Sequence, residues 1–274
     1  MASIGIIGYG VVGQALANGF KDGHLIKFFD KYKECDEFRQ VVNSDFVFIC
    51  LPTPSTSTGI DLSIMDEAMH QISELKPEGI IAIKSTIIPG TTKKYHKQYP
   101  HLRLCFNPEF LTEKNAFNDF INPDRIVIGA EDKSVLLAVE KLYKDRFPNV
   151  GVYCCDSITA EMVKYMANGL LSAKIIFANE IFDICQKLGI DYETVKKMVM
   201  ADPRVGAHLD VTPTRGFGGK CFPKDIIALI GLCDELGVDA RVIKAVWEKN
   251  LLIRKDHDWK RIPFAFADEI INKA

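Results

Sequence analysis

Short, nearly continuous apolar runs alternate with amphipathic stretches through residues 1–155. The runs Ile4–Ile7, Leu25–Phe29, Phe46–Leu51, Ile80–Lys84, Arg103–Phe106, Ile126–Gly129 and Gly151–Cys154 are rich in β-branched residues, as strands buried on both faces are. Between them Val12–Asp22, Leu62–Leu75, Thr91–Tyr99 and Lys133–Arg146 carry helical periodicity. The alternation predicts an α/β domain with a doubly wound, mostly parallel sheet.

After Asp156 the pattern becomes wholly helical. Thr159 to Leu188 contains no proline, is preceded by the cap-forming Asp156 and Ser157 and is closed by Gly189, so one helix of roughly 45 Å is expected. Shorter helices are predicted at Tyr192–Met200, Asp225–Leu236 and Ala240–Arg254, with an irregular or short helical tail from Asp256. The division that follows is 1–155 for the α/β domain and 156–274 for an all-α central domain.

A length of 274 residues suits about two domains. With 34 basic and 36 acidic residues the net charge is -2, which argues against nucleic acid and against a polybasic membrane contact as partners. No apolar run approaches the ~20 residues of a membrane span, and the start Met1-Ala2-Ser3-Ile4 lacks a signal-peptide pattern, so a cytoplasmic protein is expected. The eight cysteines show no C-x-x-C and no zinc spacing, so no metal site is expected and most should be buried small hydrophobes.

Two segments carry chemistry. Gly8-Tyr9-Gly10-Val11-Val12-Gly13 follows a strand, opens a helix and precedes a second strand ending in Asp30. That is the context of a Rossmann-type dinucleotide site: glycines for the turn and the approach of a pyrophosphate, an acid for a ribose diol, and NAD preferred over NADP. The second is Gly216-Phe217-Gly218-Gly219-Lys220-Cys221-Phe222-Pro223-Lys224-Asp225. Here a thiol lies near a helix start between Lys220 and Lys224, where a thiolate is electrostatically favoured, and the glycines admit a substrate to the backbone.

Together these segments resemble the UDP-glucose and GDP-mannose dehydrogenase family, most closely its UDP-glucose 6-dehydrogenases. The likeness extends in order through Leu51-Pro52-Thr53-Pro54, Lys84-Ser85-Thr86, Asn107-Pro108-Glu109-Phe110-Leu111-Thr112-Glu113, Pro123 to Gly129, and Ala160-Glu161 with Lys164 and Asn168. The resemblance implies a twofold NAD-dependent oxidation of a UDP-sugar, UDP-glucose favoured, through a Cys221 thiohemiacetal and thioester. It assigns Lys164 and Asn168 to the tetrahedral oxyanion, Asp225 and Thr86 to water, and Glu109 to thioester hydrolysis. Gly8 to Gly13, Asp30, Thr53, Thr86, Glu113 and Lys224 are implied around the cofactor. Glu109, Phe110, Leu111, Lys164, Asn168, Phe217, Gly218 and Gly219 are implied around the sugar nucleotide, with Arg204 reaching it from the second subunit of a homodimer built on the central helices.

Where relatives place a basic residue near the adenosine ribose this chain has Cys35, with Lys31 or Lys33 as substitutes. Relatives also continue into a third α/β domain, so a chain lacking that UDP-binding domain is expected. Three functions remain open at this point: an active UDP-glucose or GDP-mannose 6-dehydrogenase, a non-catalytic NAD or UDP-sugar binder, and a β-hydroxyacid dehydrogenase, against which Cys221 counts.

Overall fold

The computed structural model describes residues 1–112 and 114–267. It divides into two compact units, one of residues 1–53 and 61–164 and one of residues 54–60 together with those from Tyr165 onward.

The first unit holds a seven-stranded sheet in the order β2-β1-β3-β4-β5-β6-β7. The strands are β1 (Ser3–Ile7), β2 (Leu25–Phe29), β3 (Phe46–Ile49), β4 (Ile80–Ile83), β5 (Arg103–Phe106), β6 (Arg125–Gly129) and β7 (Gly151–Cys155). Neighbours are parallel except β5 and β6, which meet antiparallel at Phe106 and Gly129. Helices cover both faces, so alternate strand residues enter different cores. Ile4, Ile6, Ile80 and Ala82 pack with α1 (Val11–Phe20), α5 (Ala116–Ile121) and α6 (Lys133–Arg146). Ile7, Ile81 and Ile83 pack with α2 (Phe38–Val42), α3 (Ser63–Leu75), α4 (Thr91–Gln98) and Ala160. This is the doubly wound α/β architecture expected from the apolar runs. The helices α2 and α5 are shorter than two turns and carry no periodicity that would have announced them.

Helix α7 (Ser157–Leu188) opens with Thr159 N and Oγ1 bound to the Asp156 carboxylate. It closes on Gly189 in the left-handed region at φ +69°. In the second unit α8 (Tyr192–Met200), α9 (Cys221–Leu236) and α10 (Arg241–Ile253) follow. Helices α9 and α10 pack with α7 around Ile176, Phe217, Ile226 and Val246, bordered by Phe222 and Trp247, and α8 packs through Tyr192 with Ala178 and Cys185. From Asp256 to residue 267 the tail takes the short helical form, one of the two expected. It forms a 3₁₀ turn at Asp258–Arg261, buries Trp259, and pairs with Ser55 through Ser55 N to Ala265 O (2.9 Å) and Ala267 N to Ser55 O (2.9 Å).

Helix α9 begins at Cys221 rather than Asp225, because Pro223 is its third residue and the amide it lacks is one of the four that a helix start leaves unpaired anyway. Cys154 is exposed rather than buried, since β7 is an edge strand. Nor are most of the others fully buried: Cys105 and Cys185 are, whereas Cys35, Cys50, Cys155 and Cys233 are partly buried. Burial pushes the thiols of Cys50 and Cys105 up to about 12. Among the described residues no helix is long and apolar enough to cross a membrane.

Candidate active site

The first unit presents a glycine turn between β1 and α1, at the end of the sheet where the carboxyl ends of parallel strands gather. Its three glycines answer to three constraints. Gly8 has φ +93°, and a Cβ there would lie 2.5 Å from Cys50 O. At Gly13 a Cβ would lie 2.2 Å from Gly8 O, so its absence lets α1 pack onto the turn. Around the Cβ position of Gly10 there is nothing within 4 Å. Gly10 is also the N-cap of α1, without a side-chain cap, so the first amides of the helix face an open cradle. Val11 lies exposed beside that cradle and Val12 is partly buried.

Asp30, directly after β2, accepts Tyr9 N (2.8 Å) and Tyr32 N (3.0 Å) and thereby fastens the glycine turn to the next strand. The Tyr9 ring stacks on Phe28 at 3.8 Å. Of Lys31 and Lys33, Lys33 is placed at the turn, with Nζ donating to Tyr9 O (2.5 Å). The open side at Gly10, the uncapped helix start and the acid at the end of β2 fit a dinucleotide.

Two further strand ends are tied together beside the turn. Thr53 Oγ1 donates to Thr86 O (2.8 Å), and Ser85 Oγ donates to Leu51 O (2.7 Å). Beyond β5, Glu109 meets Lys164 of α7: Lys164 Nζ donates to Glu109 Oε1 (2.8 Å) and to Glu109 O (2.8 Å), and Leu111 N donates to Oε2 (2.7 Å). Burial works to raise the Glu109 carboxyl, but the Lys164 charge and these hydrogen bonds outweigh it and hold it below the usual carboxylate value. Phe110 lies under the Arg125 guanidinium at 3.9 Å. Glu113 lies outside the described residues.

The second unit gathers the other implied groups. Cys221 is the first residue of α9, with its partly buried thiol at the positive end of the helix. One turn on, the buried Asp225 accepts Lys224 Nζ (2.6 Å) at one oxygen and Asn168 Nδ2 (2.5 Å) at the other. Phe217 is placed differently from a ligand-facing side chain: it is 3% exposed and packs among Ile226, Val246 and Trp247. Arg204 is exposed and pairs with Asp202 of its own loop. Lys174 of α7 fastens that loop by donating to Val205 O (2.8 Å) and to Ala207 O.

Sequence reasoning gave no role to two groups of residues. Lys84 ends a run of four apolar residues and is only 4% exposed; its Nζ donates to Asn107 O (3.1 Å) and Oδ1 (3.0 Å). Asn107 Oδ1 also accepts Tyr143 Oη (2.5 Å), while Nδ2 donates to Val127 O (2.8 Å) and supplements the sparse β5–β6 pairing. Burial pulls the Lys84 ammonium down to about 8. A lysine placed directly after a doubly buried strand was the available signal. The second group, Asn250, Arg254 and Asp258, surrounds the glycines before Cys221 and left no motif.

The NAD binding domain of the UDP-glucose/GDP-mannose dehydrogenase family matches residues 28–146, and the central domain of the same family matches residues 158–251. A UDP-glucose 6-dehydrogenase of Rickettsia bellii is 37% identical over 82% of this chain and 52% of its own length. The Bacillus subtilis UDP-glucose 6-dehydrogenase YwqF is 34% identical over 77% of this chain and 49% of its own. The chain thus spans about half the length of the curated relatives it matches. Among solved structures, a UDP-glucose dehydrogenase from Pyrobaculum islandicum superposes with a TM-score of 0.82 at 28% identity, over 95% of this chain and 69% of that one.

Proposed function

The chain belongs to the UDP-glucose/GDP-mannose dehydrogenase family, and from that premise we propose that it oxidises the C6 alcohol of a UDP-hexose, UDP-glucose first, to the uronate. One observation supports the twofold oxidation most directly: a thiol at the start of α9, one turn before an aspartate held by a lysine and an asparagine. An alcohol dehydrogenase that stops at the aldehyde needs no such nucleophile.

The balance is R–CH₂OH + 2 NAD⁺ + H₂O → R–COO⁻ + 2 NADH + 3 H⁺. NAD⁺, when bound, supplies the hydride acceptor for both oxidations. Asp30 and the amides at the start of α1 hold it through its ribose and pyrophosphate. Cys221 Sγ adds to the aldehyde carbon, giving a thiohemiacetal whose carbon carries a hydride that can leave; its loss yields the thioester. Asp225, fixed by Asn168 and Lys224, takes the proton from the water that attacks that thioester, and Cys221 departs as thiolate. The positive charge of Lys164, beside Glu109, opposes the negative charge that develops on the tetrahedral oxygen.

The working form in this reading is a homodimer. Met166, Leu170, Phe177, Ile184 and Leu188 recur at helical spacing along α7 and are all exposed in the single chain. A second copy seated there brings Arg204, on the loop that Lys174 fastens to the same helix, to the sugar nucleotide of its partner.

Counting NADH formed per sugar consumed tests the reading. Two per UDP-glucose, with Cys221→Ser abolishing acid formation and leaving NAD⁺ affinity within about twofold, is the expected result. One NADH per sugar, or full turnover by Cys221→Ser, refutes the thioester route. Faster turnover of GDP-mannose reassigns the nucleotide.

A further inference from the structure

We propose that Arg254 and Asp258, together with Asn250, are positioning residues for the thiol: they clamp the backbone of residues 215–219 and so set where the start of α9 is presented. The inference rests on Cys221 being the nucleophile, but the clamp itself is a property of the second unit.

The segment before Cys221 has little capacity to order itself. Arg215, Gly216 and Gly219 all have positive φ, at 56°, 53° and 70°. Three glycines in four residues also raise the entropy of any unrestrained form. The order is imposed from outside. Asn250, fully buried on α10, accepts Phe217 N (2.8 Å) at Oδ1 and donates Nδ2 to Phe217 O (3.1 Å), pairing with that residue as a neighbouring strand would. Arg254 Nη1 donates to Arg215 O (3.0 Å), and its Nη2 meets Asp258 Oδ1 at 3.1 Å. The other oxygen of Asp258 accepts Gly219 N (3.2 Å), two residues before the thiol. From α7, Asn179 Oδ1 accepts Gly216 N (3.3 Å) and Arg215 Nε (2.6 Å).

The glycines record this clamp. A Cβ on Gly216 would lie 2.3 Å from Asn250 Oδ1, and one on Gly218 would lie 2.3 Å from both Arg254 Nη2 and Asp258 Oδ1. These two glycines are required by side chains of the same protein. Gly219 differs, with nothing within 4 Å of its Cβ position. The clamp therefore closes one side of the loop and leaves Gly219 facing open space.

Asp258 is partly exposed and makes the test without emptying the core. In the full chain, Asp258→Ala should speed deuterium uptake at the amides of residues 217–221 by about fivefold or more, the worth of one lost hydrogen bond, with α1 unchanged. Alkylation of Cys221 by iodoacetamide should change in rate by a similar factor. Asp258→Asn, with one acceptor oxygen for two donors, should fall between Ala and wild type, as should Arg254→Lys, which keeps the charge and loses the fork. In turnover, kcat and the KM for UDP-glucose should change while the KM for NAD⁺ stays within about twofold. Uptake and alkylation both within twofold of wild type in Asp258→Ala would overturn the clamp. If uptake and alkylation respond while Cys221→Ser remains fully active, the clamp stands and the nucleophile assignment falls.

Discussion

Replacing Lys84 by Met tests whether the first unit carries the cost of a buried charge. Lys84 is 4% exposed, surrounded by β4, β5 and Asn107, and burial lowers its ammonium from 10.5 to about 8. A base with a depressed folded value binds fewer protons folded than unfolded across the window between the two, so its burden on stability is full below about pH 8 and is lifted as pH rises toward 10.5. The interval is worth about 3 kcal/mol in total, of which about 2 should be recovered between pH 7 and 10. Lys84→Met lacks this titration, and although the Lys84 charge lowers the thiols of Cys50 and Cys105, burial keeps both protonated in the folded state of either protein up to pH 10. The difference between the two proteins therefore isolates it. Urea unfolding followed by far-ultraviolet circular dichroism at pH 7, 8, 9 and 10 is the assay. Wild type should gain on the variant steadily over that range. A constant difference, or one that shrinks with pH, would mean that Lys84 keeps its ordinary affinity for the proton, and the reasoning from burial would be wrong.

The Glu109–Lys164 pair should behave with the opposite sign. Lys164→Met leaves a buried carboxylate without its cation and should cost about 3–5 kcal/mol at pH 7. Because the Glu109 carboxyl is held below its unfolded value of 4.5, that difference is present above pH 4.5 and should close in acid melts as pH falls through the folded value. The fingerprint glycines should separate ligand from fold: Gly10→Ala should weaken NAD⁺ by calorimetry about tenfold with the melting temperature moved by no more than about 2 °C, whereas Gly13→Ala should lower both. If the chain pairs through the exposed face of α7 as proposed, wild type should sediment as a dimer and Phe177→Glu as a monomer; equal sedimentation coefficients for the two would refute that interface.

The fold was legible in the sequence wherever a run of residues had one environment along its whole length. Strands β3 and β4 are buried on both faces, so Phe46–Ile49 and Ile80–Ile83 read as unbroken apolar runs. Helix α7 has no internal breaker and ends at a glycine that takes positive φ. Legibility failed where a neighbour decides. The helices α2 and α5 are fixed by packing on the sheet rather than by their own pattern, and the turn at Asp258–Arg261 is fixed by the burial of Trp259. Pro54–Ile60, which reads as a loop between β3 and α3, is held with the second unit because Ser55 pairs with residues more than two hundred positions away.

The glycines show the same boundary at the scale of single atoms. A glycine in sequence announces that something approaches the backbone or that φ is positive, but not what approaches. Gly216 and Gly218 are occupied by Asn250 and by the Arg254–Asp258 pair, Gly8 by Cys50 O, and Gly13 by Gly8 O. Only Gly10 and Gly219, among the glycines of the two motifs, leave the volume of a side chain unfilled. One is the cap of α1 in the dinucleotide turn, and the other lies two residues before the thiol that starts α9. Spacing locates both motifs, whereas the empty volume distinguishes the glycine that admits a ligand from the glycine that admits the rest of the protein. That distinction makes Gly10 the position where a single methyl group acts on binding before it acts on folding. At Gly219, where φ is +70°, a methyl group also strains the backbone, and its effect on the thiol and on stability should arrive together.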